Sequence, residues 1–94
     1  MTVQAITQTL SDLLALPEPE LVHKGLLALI EKEIRLAEQE IAVLRERYDV
    51  FSPEALYQAI QEGVVVPHPA WEDYIVWKNK LAHITSLQQT SGRN

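Results

Sequence analysis

Glu20 and His23 stand three residues apart in "ELVH", and His68 is followed by two carboxylates, Glu72 and Asp73. These are the side chains whose types and spacing come nearest to chemistry. Glu-x-x-His on a helix supplies two inward ligands in di-iron bundles, but such a centre needs a second copy of the motif and further glutamates. No second copy exists, and Glu33 and Glu40, one heptad apart, read as a solvated or inter-chain helix edge. His68, set between Pro67 and Pro69, is a rigid position for acid–base or metal work. Glu72 and Asp73 read more simply as first-turn residues that the positive end of a helix favours. His23 and His83 read as surface or packing residues. No Ser–His–acid order can be assembled, and three glycines are too few for a phosphate cradle. The expectation is a chain that is not an enzyme, with no catalytic residues, no cofactor and no metal.

Composition narrows the remaining classes. Ninety-four residues, 47% apolar and 22% charged, suit one globular domain rather than a disordered chain. Net charge is −5, and the eight Lys and Arg are scattered, so the basic footprint of a nucleic-acid binder is missing and nucleic acid is not an expected partner. With no cysteine there can be neither disulfides nor thiolate metal sites. The uncharged run that follows Met1, residues 2–11, is too short and too polar for an export signal or a membrane span. Helices that carry Glu on their polar face are also unlike the basic helices that lie on membranes. A cytoplasmic protein is expected.

The elements follow from hydrophobic period and punctuation. Val3, Ile6, Leu10, Leu13 and Leu14, at helical spacing, predict a short amphipathic helix over residues 2–16, which "PEPE" at 17–20 ends. Leu27, Ile30, Ile34, Ala37, Ile41, Leu44 and Tyr48 then repeat at alternating threes and fours. That is the seam of a long helix over residues 19–48, roughly 45 Å in length. Gly25 inside it suggests a close approach by another element. Ser52, Pro53 and Gly63 punctuate a short third helix as cap, first residue and stop. "VVVPHP" reads as an extended connector, and a last helix runs from residue 69 or 70 to about 88. On it Tyr74, Trp77, Leu81 and Ile84 share one stripe, with Trp71, Ile75 and Ala82 beside it. The predicted fold is all-α: one domain over residues 1–88 and a flexible tail over 89–94. Short connections make the long and last helices an antiparallel helical hairpin, coiled-coil-like, with two shorter helices added.

Two features exceed what such a hairpin can bury. "LLALI" at 26–30 is apolar all round the helix, and Leu29, Leu36 and Val43 form a second line offset from the seam. The rigid corner "PHPAW" presents His68 and Trp71, with Ile75 one turn on. Leu26, Leu29, Leu36, Val43, His68, Trp71 and Ile75 are therefore the expected partner-binding residues, whereas Trp77 is assigned to the core. Two readings stay open: an interaction module that wraps another protein, and a self-assembling homodimer whose second copy covers the excess.

"LRERY" (44–48), "SPEALYQAI" (52–60), Gly63 and "WEDYIVW" (71–77) form a pattern of residue classes over about residues 26–88. It resembles small helical antitoxin-like members of two-gene toxin–antitoxin pairs. The resemblance implies a protein that neutralises a toxin-like, basic partner such as a ribonuclease, which an acidic helix would attract. The chain departs from that pattern at residues 1–25, which are not basic where antitoxins often carry a DNA-binding part.

Overall fold

The computed structural model describes residues 2–92, and these are helical with no strand. The elements are α1 (Val3–Leu14), α2 (Glu18–Tyr48), α3 (Pro53–Gln61) and α4 (Pro67–Thr90). Each boundary has a local cause. Thr2 caps α1 by accepting the Ala5 N–H at 3.1 Å, and Ala15 in the left-handed region (φ 54°) closes it. Glu18 and Glu20 lie at the positive end of α2, and Arg45 and Arg47 lie in its last turn. Asp49, also left-handed at φ 53°, turns the chain out of α2. Ser52 caps α3 by accepting the Ala55 N–H at 3.1 Å, Pro53 occupies its first turn, and Gly63 (φ 74°) takes the left-handed position that follows it.

Tertiary contacts group the chain into two compact units, Met1–Lys32 and Glu33–Asn94. The C-terminal unit has the core. Ala37, Ile41 and Leu44 of α2, Leu56 and Ile60 of α3, and Ala70, Trp77 and Ile84 of α4 are buried together, with Trp77 and Leu56 fully enclosed. Ile34, Tyr48, Val50, Val65, Trp71 and Tyr74 pack around them. The seam read from α2 thus supplies the core from Ile34 onwards. α3 and α4 share the most extensive backbone contact of any helix pair among the described residues. Side chains tie α2 to α4 at two levels. Glu40 pairs with Lys80, and seven residues further along α2, Arg47 pairs with Asp73, seven residues earlier on α4.

The N-terminal unit is α1, the Pro17 turn and the first half of α2. No described residue in it is buried. Leu16, Leu21, Leu27 and Ile30 are half-buried, and the remaining large apolar side chains are exposed.

Four expectations need correction. α2 runs unbroken through Gly25, and a Cβ built there would meet nothing within 4 Å, so no close approach explains the glycine. The connector "VVVPHP" is extended only in part: Val66 and His68 are extended, Val64 and Val65 bend back with their N–H groups on the Ala59 carbonyl, and the regular run of α4 begins after Pro69, as expected, across a cis peptide bond. Leu81 of the expected stripe and Ala82 beside it are exposed, because α4 buries the narrower line Ala70, Trp77 and Ile84. Finally α4 reaches Thr90, past the expected end near 88. The Ser91 hydroxyl donates to the Gln88 carbonyl at 2.9 Å, and Gly92 turns at φ 78°. The last residues of the expected tail, Arg93 and Asn94, lie outside the described residues.

Candidate interaction surfaces

α1 is the clearest surface that the N-terminal unit builds. Its apolar side chains recur every three or four residues, which aligns Val3, Ile6, Leu10, Leu13 and Leu14 along one stripe. Such a stripe normally faces a core. Here Val3 is 81% exposed and Leu13 75%, and Ile6, Leu10 and Leu14 are exposed as well. Most polar side chains of α1 are meanwhile occupied with the helix and the turn that follows it. Thr7 donates to the Val3 carbonyl and Thr9 to the Ala5 carbonyl, each at 2.9 Å. Gln8 donates to Asp12 at 3.3 Å, and the Ser11 hydroxyl donates to the Leu16 carbonyl. A helix whose hydroxyls bond to its own carbonyls can be covered without stranding polar groups. Val22, Leu26 and Leu29 on α2 add exposed apolar area to the same unit.

On the C-terminal unit, Leu36 and Val43 are exposed along α2 and Ile75 along α4. Val43 shares a shallow cleft of about 260 Å³ with Glu40, Leu44, Arg47, Asp73 and Val76. That is smaller than most ligand pockets, which start near ~300 Å³. Its polar rim is internally paired. Arg47 donates to Asp73 at 2.7 Å, and the Tyr48 hydroxyl also donates to Asp73. The bond to Asp73 holds the Arg47 guanidinium pKa above its ordinary value, and its neighbour Tyr48 adds to the effect. Burial, then the bond to Asp73, raises the Tyr48 phenol above its ordinary 10.0.

The proline corner resolves into two parts. His68 stands in solvent, 84% exposed at its side chain, and its Nδ1 lies 3.0 Å from Glu72. Trp71 turns the other way. It is half-buried against the core and forms a three-ring cluster with Tyr57 and Tyr74, the Trp71 ring meeting each at 5.5 Å and 74°. Edge-to-face rings at this spacing stabilise the packing of α3 on α4. Of the seven residues expected to meet a partner, six are exposed and Trp71 belongs largely to the fold. They are divided between the two units. Leu26 and Leu29 lie in the N-terminal unit and the others in the C-terminal one, and Ile75 is not among the residues lining the cleft that Val43 shares.

The stripe of α1 and the side chain of Val76 were not among the expected site residues. The signal for α1 was present in its apolar period, joined to a polar face that holds a single charge, Asp12, among twelve residues. Among the described residues no group of three His, Asp or Glu side chains converges on a possible metal position, and no helix is long and apolar enough to cross a membrane.

A family model described as "Uncharacterized protein MJ0235 family" matches residues 1–90. No curated protein and no solved structure matches the chain. The family match links nothing here to toxin–antitoxin pairs.

Proposed function

This chain belongs to the MJ0235 family, and from that premise we propose that it is a non-enzymatic protein-interaction module, with the uncovered apolar stripe of α1 as its principal docking surface. One observation carries the reading. The N-terminal unit exposes eight large aliphatic side chains (Val3, Ile6, Leu10, Leu13, Leu14, Val22, Leu26 and Leu29) and buries no described residue. Monomeric proteins rarely leave so much apolar surface in water on so short a stretch, and a large patch marks a place where another molecule docks.

The C-terminal unit serves in this proposal as the scaffold, with α2 and α4 as an antiparallel hairpin closed by α3. The support is the pairing of Glu40 with Lys80 and of Arg47 with Asp73, whose order reverses between the two helices. Salt bridges this exposed add little stability; they fix register. The core that they flank holds its geometry whatever α1 does.

Affinity capture from host extract tests the reading, with the wild-type chain and the double variant Leu10→Glu/Leu13→Glu as baits. Proteins retained by the wild type and lost by the variant are expected, the same chain counting among them. Identical retention by the two baits would overturn the assignment to α1.

A further inference from the structure

We propose that the occupant of the α1 surface is a second copy of this chain, so that two α1 helices meet across a two-fold axis and each closes the other's apolar stripe. The inference rests on the interaction reading above and names its partner.

Size is the first argument. The N-terminal unit ends at Lys32, and stretches shorter than ~40 residues rarely hold a fold unless disulfides, a metal or oligomerisation supports them. The sequence has no cysteine, and the described residues offer no metal-binding group. α1 itself is twelve residues long, at or below the ~12–15 at which a free helix is marginal in water. α2 leaves all five apolar stripe residues of α1 exposed, so contact with another molecule is what would cover them.

Charge then selects the partner. Between Glu33 and Tyr48 the second half of α2 carries seven charged residues in sixteen, whereas α1 carries only Asp12. A basic protein would find almost nothing on α1 to read, since electrostatic recognition needs charge to complement. A second copy needs none. Although the chain carries a net −5, an isologous contact through α1 places almost no like charge opposite itself, and the hydroxyls of Thr7, Thr9 and Ser11 enter the contact already bonded. Interface cores between identical chains have this character: apolar and depleted of charge.

Area agrees. The five exposed aliphatics of α1 offer on the order of 500 Å² per chain, and Val22, Leu26 and Leu29 of α2, if the second copy reaches them too, bring the upper bound to about 800 Å², one partner's share of a standard interface. The stripe is self-complementary in kind, and a two-fold axis is the commonest way for such a surface to close on itself.

Sedimentation equilibrium of the full chain, from low to high micromolar, tests this. Wild type is expected at twice the mass of 10.7 kDa. Leu10→Glu/Leu13→Glu is expected to raise the dissociation constant by roughly a hundredfold or more, because each substitution enters a two-fold contact twice. Its C-terminal unit should keep its cooperative melt, since neither leucine belongs to the core. Leu10→Ala/Leu13→Ala, which keeps α1 helix-forming, should weaken the dimer in the same direction and guards against a variant that merely unfolds. Three results would overturn the proposal: a wild-type monomer at every concentration, a dimer that both variants leave intact, or a monomer whose α1 instead binds phosphatidylglycerol vesicles. A purified monomer whose extract capture is still lost in the Glu variant would sink the second copy and leave the interaction reading standing.

Discussion

Met1–Lys32 and Glu33–Asn94 are both rich in leucine, isoleucine and valine, yet only the second unit buries any of them fully. The difference is the number of elements that converge. In the C-terminal unit three helices contribute, so Trp77 of α4 and Leu56 of α3 are enclosed from several sides. The N-terminal unit has α1 and one face of α2, and two helices leave most of each other's surface in water. Apolar content creates the demand for burial, and the count of elements decides whether one chain can meet it.

Trp77→Ala is the sharpest test of that contrast. It empties the centre of the C-terminal core and should cost about 3–5 kcal/mol, much of the stability of so small a domain. Chemical denaturation followed by circular dichroism would read it, and a loss comparable to that of a surface substitution would break the picture of one tight core. Trp71→Ala should cost less, roughly 1–3 kcal/mol, from two ring pairs worth ~0.5–1.5 kcal/mol each. A cost equal to that of Trp77→Ala would place Trp71 in the core proper, and no cost would return it to the partner surface.

Ser52→Ala removes the N-cap of α3 and should lower stability by about 1 kcal/mol, again by denaturation. The pH response sharpens the comparison from another side. The Tyr48 proton is held more tightly in the folded chain than in the unfolded one. The resulting stability is full below the ordinary value of 10.0 and is lost as pH rises through the higher folded value. Thermal melts above pH 10 should therefore decline more steeply for wild type than for Tyr48→Phe, and parallel declines would remove Tyr48 from the account. Leu13→Ala in the N-terminal unit gives the smallest effect. At concentrations that keep chains apart, stability should move within about 0.5 kcal/mol, as for other substitutions of exposed residues. A drop of core size there would mean that Leu13 is covered after all.

The helices were legible in the sequence because their signals are local. Ser52, Pro53 and Gly63 set α3 within a residue or two, and the seam from Ile34 to Tyr48 marked the α2 residues that reach the core. What failed was long-range. Gly25 suggested a neighbour, but a missing side chain signals freedom as readily as contact. Trp71 was separated from the core because it lies off the stripe of Trp77, yet α3 arrives on that side and brings Tyr57 against it. A helical pattern fixes the angle at which a side chain leaves its own helix, not which element waits there. The same limit applied to α1: its amphipathic period showed a face in need of cover and was silent on what supplies it.

The buried indole of Trp77 has a use outside the fold. Its Nε1–H has no hydrogen-bond acceptor among the described residues, and the whole side chain is enclosed. An excited indole lowers the energy of its emission by reorienting polar neighbours, and Trp77 has few to reorient. It should emit at the blue edge of tryptophan fluorescence. Trp71, half-open to solvent beside two tyrosine rings, should emit further to the red and be reached by iodide. The chain thus carries two optical probes on one helix. One is dark to external quenchers until the core opens, and the other reports the seating of α3 before it does.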